Sequence, residues 1–359
     1  SWLVGNHLEM SDCAQKRDIS DPRTIAQFVE RVGTMERLNL LLILTVADIK
    51  AVGPDIWNGW KGQLLKELYQ ASASALKADH REENQVAVDF DRRADDMRQI
   101  FIAKGTKLPA LLEEMDASYW MSQSEADVRW HIEILNSADD ETLVECRPRS
   151  DTDSVELLVA TKDRTGLFSD IVGAITDEGA AIASAHIFTG RNGGALDVFV
   201  LKEEDGHMFC RGEASRLKRL KASVTSAITD GHKPKPERKP RIGREAVFVV
   251  DPDVVFDNQG SVDFTILEVT GKERSGVLYD MARALAARQI RLNSAHAGAY
   301  GERIHDVFYI QNKDGGKLTD SELTEGLACE LLDILSRDTE TAPRTPAQTL
   351  AQARSAESF

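Results

Sequence analysis

The pattern of apolar and polar residues changes character near residue 150. Before it, a long apolar run at residues 40–47 and a polar, helix-favouring stretch from about 71 to 131 predict helices. After it, short apolar runs of strand length alternate with stretches that have one apolar face. We therefore predict an α+β protein, with an all-helical N-terminal part followed by a region that contains both strands and helices.

The region after residue 150 shows the same order of strand-like and helix-like patterns twice. A strand-like run at 157–159, and again at 266–269, ends at a turn that contains glycine. The residues after each turn repeat at i, i+4, i+7 and i+8, which is one face of a helix: Leu167, Ile171, Ala174 and Ile175 in one segment, and Val277, Met281, Ala284 and Leu285 in the other. Two further strand-like runs and a second amphipathic stretch predict the order β-α-β-β-α, close to a split βαβ unit.

The residues themselves also repeat. A segment of about 45 residues occurs twice. The two copies are 110 positions apart at first and 109 positions apart farther along. Residues 163–170 match 273–280, 184–186 match 294–296, 197–199 match 306–308, and 205–206 match 314–315. Agreement over this length indicates an internal duplication.

The two glycine turns, Asp-Arg-Thr-Gly-Leu at 163–167 and Glu-Arg-Ser-Gly-Val at 273–277, resemble those of ACT domains when they occur in this element order. ACT domains are small βαββαβ modules that bind amino acids and regulate an attached enzyme. This resemblance implies that the two repeats are ACT-like regulatory domains.

The N-terminal part resembles the end of an HD domain. The motifs that carry this resemblance are residues 2–4 with 7–8, 20–22, 44–49, Gly53-Pro54, and Trp-Asn-Gly-Trp-Lys at 57–61. A partial HD region followed by two ACT repeats is similar to the bifunctional PII-protein uridylyltransferase and uridylyl-removing enzymes, over residues 1 to about 336. That family carries a nucleotidyltransferase module before the HD region, so we expect this chain to be an N-terminally truncated piece of a longer enzyme.

The expected domains follow from these patterns. We predict the C-terminal part of an HD domain at 1–70, a helical connector at 71–150, a first ACT domain at 151–250, a second at 251–338, and a disordered tail at 339–359. A basic Pro-rich linker at 233–240 separates the repeats. Residues 247–250 are expected to form the last strand of the first repeat, whereas the second repeat has no equally clear last strand.

Each glycine turn is a candidate binding site. A strand that enters a helix through Thr165-Gly166 or Ser275-Gly276 places backbone N–H groups at a helix N-terminus, where the dipole favours an α-carboxylate. The ACT resemblance favours ligand contact over a purely structural turn. The predicted ligand-binding residues are Arg164, Thr165, Gly166, Leu167, Phe168 and Ala183, and Arg274, Ser275, Gly276, Val277, Leu278 and Asn293.

Some of these assignments have alternatives. Thr165 and Ser275 are expected to cap the helices, and Arg164 and Arg274 could pair with neighbouring carboxylates instead of ligand. In ACT domains the second strand can present an Asn to the amino acid; here Asn293 fills that position and the first repeat has Ala183. The resemblance therefore favours the second repeat for side-chain recognition. We interpret His186 and His296 as structural histidines.

The HD resemblance implies a metal ligand. HD phosphohydrolases hold divalent metal, Mg²⁺ or Mn²⁺ in the parent enzyme, through a first His, a His-Asp pair and a late Asp, and by family match Asp48 is that late Asp. We expect its carboxylate to be buried in the apolar helix, and His7 is a candidate accessory ligand or catalytic acid. The dipeptide His305-Asp306 lies on a predicted strand and is interpreted as a coincidence.

Composition narrows the classes of partner. The net charge of −15 makes nucleic acid an unsuitable partner, because phosphate binding needs a positive field. The sequence contains no run of about 18 apolar residues, so it predicts no membrane-spanning helix. Four Cys residues without paired spacing are typical of reduced thiols, and we predict a cytoplasmic protein.

The resemblance implies a function in nitrogen regulation. The parent enzyme uridylylates PII signalling proteins when glutamine is scarce and removes the group when glutamine is plentiful, and this chain would be its glutamine-sensing end, inactive alone. Two alternatives stay open: a stand-alone amino-acid-binding ACT regulator, and an HD-type metal-dependent phosphohydrolase. PII and glutamine are the expected partners, and the ACT repeats are expected to pair internally or in a homodimer.

Overall fold

The structure is a computed structural model, and it describes most of the chain. The described residues are 2–17, 19, 21–52, 59–77, 83–137, 141–203, 206–232, 250–274, 276–300 and 303–336. The HD signature at 53–58, the predicted linker, residues 247–249 of the predicted last strand, Ser275 and the predicted tail at 339–359 lie outside them. Among the described helices, none has the length and apolar character that crossing a membrane requires.

The described chain forms two compact units. Ser1–Asp163 and Ala185–Leu217 make the first, and Arg164–Ser184 and Lys218–Phe359 make the second. The first unit holds the N-terminal helices and most of the first sheet. The second unit holds the glycine turn and first helix of the first repeat together with the whole second repeat.

The N-terminal part is helical, as predicted. Its helices are α1 (Trp2–Gly5), α2 (Glu9–Lys16), α3 (Pro22–Val32), α4 (Met35–Val52) and α5 (Gly59–Lys77). The start of α3 follows from local chemistry, because the Asp21 carboxylate accepts a hydrogen bond from the Arg23 amide at 2.8 Å and Pro22 occupies the first turn. Leu38 and Leu41 of α4 are fully buried in a common core with Phe28 and Val29 of α3.

The connector is also helical. It consists of α6 (Glu83–Ala103), α7 (Ala110–Glu113), α8 (Ala117–Ser122) and α9 (Glu125–Ser137). Tyr119 and Trp120 are buried and anchor the packing of this region. Their cluster includes Leu158, Leu196 and Val198 of the first sheet, so the connector covers one face of that sheet.

The first repeat has an antiparallel sheet. Its elements are β1 (Leu143–Arg149), β2 (Ser154–Lys162), α10 (Leu167–Asp177), β3 (Ala181–Thr189), β4 (Gly194–Lys202) and α11 (Ala214–Asp230). The strand order is β1-β2-β4-β3. β2 pairs with β4 so that Leu158 lies opposite Val198 and Val159 opposite Asp197.

The second repeat has the same organisation. Its elements are β5 (Asp253–Asp257), β6 (Thr265–Lys272), α12 (Val277–Ala287), β7 (Arg291–Tyr300), β8 (Arg303–Gln311) and α13 (Ser321–Ser336). The strand order is β7-β8-β6-β5, with every neighbouring pair antiparallel. Within the second unit, α12 packs against α10, a contact that agrees with internal pairing of the repeats.

The α+β class with ACT-like repeats is confirmed, but the order βαββαβ differs in one respect. The fourth strand of each sheet precedes the repeat instead of closing it, because β1 pairs with β2 and β5 pairs with β6. Each repeat therefore reads ββαββα along the chain. The edge strand β1 begins at Leu143, within the stretch that the sequence predicted as connector.

Candidate functional site

The glycine corner of the first repeat lies where β2 turns into α10. Gly166 is the N-cap residue of this helix and has φ of 82°, a conformation that is costly for residues with a Cβ atom. The prediction that Thr165 caps the helix is wrong, because no side chain caps this terminus and Thr165 is exposed one position earlier. The left-handed glycine, and not a capping hydroxyl, makes the turn.

The second repeat has the same corner. Gly276 is the N-cap residue of α12 with φ of 81°, and it too lacks a side-chain cap. The predicted cap and ligand residue Ser275 lies outside the described residues. A Cβ atom built on Gly276 would meet no atom within 4 Å, so the space beside this corner is open.

The corners leave helix N-terminal amides available. The Asp170 amide bonds to the Gly166 carbonyl at 3.0 Å, and the Asp280 amide bonds to the Gly276 carbonyl at 3.0 Å. In the part of the chain that is described, no hydrogen bond is found from the Gly166 or Gly276 amide. Unsatisfied N–H groups at a helix N-terminus are a suitable site for an anionic group.

The arginine of each corner pairs with a carboxylate of the same repeat. Arg164 Nη2 lies 2.6 Å from Asp170 Oδ2, and Arg274 Nη2 lies 2.6 Å from Asp280 Oδ2. The same guanidinium groups donate to main-chain carbonyls, Arg164 to Ile228 at 3.1 Å and Arg274 to Ile334 at 3.3 Å. Each arginine thus joins the start of the first helix of its repeat to the end of the second.

The residues after each glycine divide between core and surface. Leu167 and Val277 are buried, with 3% and 4% of their surface exposed, so their side chains serve packing. Phe168 and Leu278 are half-buried and adjoin the open N-terminal turn. The Leu167 and Val277 amides donate to the Arg164 and Arg274 carbonyls at 3.2 and 3.3 Å, so the side chains of Phe168 and Leu278 are the parts that adjoin a ligand at the turn.

The second-strand positions differ in residue type, and the one in the second repeat lies at a backbone irregularity. Asn293 lies at an irregularity of β7, where the register with β8 shifts between Leu292 and Ser294. A β-bulge of this kind redirects a side chain and is common beside binding sites. Asn293 and its counterpart Ala183 are both half-buried.

The duplicated histidines pack against aromatic rings. His186 stacks on Phe188 with ring centroids 6.0 Å apart, and His296 meets Tyr309 edge-on at 6.2 Å. His296 is buried, with 5% of its surface exposed. These contacts agree with the interpretation of both residues as structural histidines.

The predicted metal residues do not form a metal site in the described structure. Asp48 is exposed on α4, so the expectation of a buried carboxylate was wrong: the apolar run faces both the core and solvent. His7 lies between α1 and α2, with its Nδ1 atom 2.9 Å from the Val4 carbonyl. In the described ranges, no group of three or more His, Cys, Asp or Glu side chains could hold a metal ion.

The other His-Asp pair is not a ligand pair either. His305 and Asp306 are consecutive residues of β8, and consecutive side chains in a strand point to opposite faces. Asp306 is buried, and His305 Nδ1 lies 3.1 Å from Thr270 Oγ1. Its interpretation as a coincidence agrees with this geometry.

Sequence reasoning missed a buried charge network that joins the connector to the first sheet. Glu156 of β2 contacts Arg147 and Arg149 of β1 at 3.0 and 2.7 Å, and both arginines also contact Asp127 of α9. His131 Nε2 lies 3.2 Å from Glu156 Oε1. The signal was present in the sequence as a glutamate inside an apolar strand, opposite two arginines at alternate positions.

The protonation states in this network follow from its contacts. Burial by itself raises the pKa of Glu156, but hydrogen bonds and charge from His131 and Arg147 outweigh burial and lower the pKa to about 2. Burial and the nearby carboxylates raise the pKa of Tyr119 well above its usual value. Tyr119 Oη lies 2.9 Å from His131 Nδ1, and His131 Nε2 lies 3.2 Å from Glu156 Oε1.

The helical half and the two repeats define the class: this is an α+β protein with ACT-like domains. The family model described as "ACR9-like, ACT-like domain" matches residues 253–339, the second repeat. The chain is homologous to the C-terminal part of bifunctional uridylyltransferase/uridylyl-removing enzymes.

The relatives are named as bifunctional uridylyltransferase/uridylyl-removing enzymes. The chain is 40% identical over 346 residues to the enzyme of Phenylobacterium zucineum, and the match covers 95% of the chain and 37% of that protein. It is 38% identical over 348 residues to the enzyme of Caulobacter vibrioides, covering 96% of the chain and 37% of that protein. The chain thus spans little more than a third of the length of these relatives.

A solved structure shows only a distant likeness. A putative glycine cleavage system transcriptional repressor is 16% identical, with 49% of this chain and 90% of that chain covered and a TM-score of 0.17. No argument rests on it.

Proposed function

We propose that this chain is the glutamine-sensing regulatory part of a bifunctional enzyme that uridylylates and deuridylylates PII signalling proteins. The observation that carries the proposal is the duplicated glycine corner, with Gly166 and Gly276 both in the left-handed conformation at the start of a helix. Homology of nearly the whole chain to uridylyltransferase/uridylyl-removing enzymes supports the choice of parent activity.

The corner suits the α-carboxylate of an amino acid. The N-terminal turns of α10 and α12 combine the positive end of the helix dipole with the Gly166 and Gly276 amides, for which no acceptor is found among the described residues. Arg164 and Arg274 stay paired with Asp170 and Asp280, so each pair is neutral and the helix dipole supplies the positive potential beside each turn. The Gly166 and Gly276 amides, at the start of these turns, are then the proposed contacts of the carboxylate.

The second repeat is proposed to recognise the side chain of the ligand. The Asn293 amide can both donate and accept a hydrogen bond, which matches the carboxamide of glutamine. The bulge at this residue provides the local irregularity that aims it. Ala183, at the matching position of the first repeat, offers no polar group.

Regulation requires that glutamine favours one of two arrangements of the repeats and the catalytic modules. A coupling free energy of about 1–3 kcal/mol is typical of such regulation. Binding with a millimolar dissociation constant corresponds to about −4 kcal/mol, which is enough to provide it. Weak binding suits an abundant metabolite.

The catalytic steps belong to the rest of the parent enzyme. Uridylyl transfer needs a nucleotidyltransferase module, and removal of the group needs a complete HD ligand set with Mg²⁺ or Mn²⁺. Asp48 and His7 would be this chain's contribution to the HD region. PII is the proposed protein partner, and the cytoplasm is the proposed location.

Isothermal calorimetry of this chain with glutamine tests the proposal. We expect a millimolar dissociation constant, and Asn293→Ala should weaken binding by about tenfold, the loss that one or two hydrogen bonds explain. Asn136→Ala is the matched control, because Asn136 lies on the connector and bonds the Lys107 carbonyl. Absence of binding to the unaltered chain, beside a working control ligand and protein, would contradict glutamine sensing.

A further inference from the structure

His232 lies at the end of the first repeat and contacts the first helix of both repeats. It follows the last residue of α11 by two positions. Its backbone N–H donates to Asp170 Oδ1 at 3.1 Å, and its Nε2 atom lies 3.1 Å from Asp177 Oδ2, so it contacts two carboxylates of α10. Its ring meets the Tyr279 ring of α12 edge-on, with centroids 4.9 Å apart. The side chain is buried, with 6% of its surface exposed.

The His232 ring occupies space that a glycine leaves open. Gly173 lies in the middle of α10, and a Cβ atom built there would lie 2.4 Å from His232 Nδ1 and 2.6 Å from its Cε1. Glycine inside a helix is destabilising relative to alanine, and the ring gives a packing reason for its presence here. We name this set of residues the His232 clasp: His232, Asp170, Gly173, Asp177 and Tyr279.

The duplication does not repeat the residues of the clasp. The position that matches Gly173 in the second repeat is Arg283, and the position that matches Asp177 is Ala287. Tyr279 in turn matches Ser169 of the first repeat. The clasp is therefore a single feature that the end of the first repeat forms with both first helices, whereas the glycine corners occur in both repeats.

The clasp connects the two glycine corners through direct contacts, all within the second unit. Asp170 is shared, because its Oδ1 atom accepts from the His232 amide and its Oδ2 atom lies 2.6 Å from Arg164 Nη2. Tyr279 lies in the first turn of α12, three residues after Gly276. A movement of Arg164 at the first corner, or of the first turn of α12 at the second, therefore acts on a residue that His232 contacts.

The packing around the ring favours transmission of such a movement. Asp170 cannot follow Arg164 without stretching its bond to the His232 amide, and the ring lies directly against the backbone of Gly173. Close-packed interiors have little free volume, so a displaced side chain moves its neighbours. Coupling between sites is carried by packed side chains and hydrogen bonds of this kind.

We propose that the His232 clasp couples the two glycine corners, so that a change of conformation at one corner alters the other. A ligand at one corner would then change the affinity of the other corner for its ligand, and the effect would be reciprocal. The clasp would make two repeats with different pocket residues respond together. This coupling involves the corners as conformational elements and does not depend on glutamine binding.

Hydrogen exchange of this chain, followed by mass spectrometry, tests the coupling without a ligand. Gly276→Ala perturbs the second corner, because alanine is strained at φ of 81°. Its effect is measured in the unaltered background, in His232→Ala, and in Gly173→Ala, where the added methyl group displaces the ring. Gly173→Ala keeps the comparison available if His232→Ala does not fold, because alanine favours the helix. Gly326→Ala is the matched background control, since Gly326 lies inside α13 with open space around it.

In the unaltered and Gly326→Ala backgrounds, we expect Gly276→Ala to raise amide exchange in the first turn of α12 and, by about fivefold, in the first turn of α10. In both clasp variants the rise at α12 should persist, and that at α10 should fall to within about twofold, the tolerance for independent sites. An equal rise at α10 in all four backgrounds would overturn the proposal, and so would no rise at α10 in the unaltered background. An equal rise in β8 would indicate general loss of stability and would overturn it as well.

Discussion

The two repeats have the same fold but place different chemistry on the same face of the sheet. In the first repeat, Leu158, Ala160, Leu196 and Val198 belong to the cluster that the connector helices cover. The matching residues of the second repeat are Glu268, Thr270, His305 and Val307. His305 lies 3.1 Å from Thr270 and 3.7 Å from Glu268, so side chains of the repeat itself contact one another there. The glycine corner and the buried core are alike in the two repeats, whereas the residues on this face of the sheet differ.

Glu156 is a further difference between the two repeats. It ties the first repeat to the connector through Arg147, Arg149 and His131, and its match in the second repeat is the fully buried Ile266. One repeat is therefore fixed to the helical region by buried charges, and the other has an apolar residue at that position.

The largest effect is expected from removal of the Glu156 carboxylate. Glu156→Ala should destabilise the chain by about 3–5 kcal/mol, because two arginines and a histidine lose their buried partner. Glu268→Ala, the control in the second repeat, should cost less than about 1 kcal/mol. Urea unfolding followed by tryptophan fluorescence measures both. Equal losses would contradict the assigned difference between the repeats.

A pH dependence follows from the same carboxylate. The folded-state pKa of Glu156 is about 2, below its ordinary value of 4.5. The unfolded state therefore binds a proton first as pH falls, and the stability that Glu156 contributes is present above pH 4.5 and lost toward pH 2. We expect this contribution to reach roughly 3 kcal/mol.

The control for the pH dependence is Glu156→Gln, which cannot titrate. Its free energy of unfolding should vary less between pH 4.5 and pH 2 than that of the unaltered chain. Parallel curves for the two proteins would assign the acid sensitivity to other carboxylates.

The glycine corners should respond alike. Gly166→Ala and Gly276→Ala should each destabilise the chain by about 1–2 kcal/mol, because both glycines have φ near 80°. Gly326→Ala is the matched control: Gly326 lies inside α13 with open space around it, so alanine should stabilise the helix by up to about 1 kcal/mol. Thermal unfolding measures all three, and a loss in only one repeat would show that the corners are not equivalent.

The smallest effect is expected at the arginines. Arg274→Ala should cost about 1 kcal/mol and Arg164→Ala somewhat less, because the Arg274 side chain is 18% exposed and that of Arg164 is 39% exposed. Arg219→Ala, which removes a pair with Glu178 on a side chain that is 61% exposed, should be nearly neutral. A larger loss at Arg164 than at Arg274 would reverse the predicted order.

Much of the fold could be predicted because local patterns encode it. The i, i+4, i+7 spacing after each glycine predicted α10 and α12, and the duplication predicted that both repeats share one organisation. The edge strands β1 and β5 were missed, because the residues that precede a repeat carry no local sign that they pair with its first strand. The burial of Asp48 was predicted wrongly, because an apolar run does not reveal how many of its faces are covered.

The candidate site, too, could be predicted from the sequence only in part. Gly166 and Gly276 were found from sequence because a strand followed by glycine and a helix face defines the turn locally. The contacts of Arg164 with the end of α11 and of Arg274 with the end of α13 join residues about 60 positions apart, so no local pattern could select them over ligand contact.

The sequence by itself determined the duplication, the helical first half and the two glycine corners, because each depends on periodicity or on the conformation of single residues. Only the tertiary structure decided which strand closes each sheet, which face of α4 is buried, and which charges surround Glu156. These features depend on groups that are distant in sequence, and their free energy comes from desolvation and packing that exist only after the chain has folded.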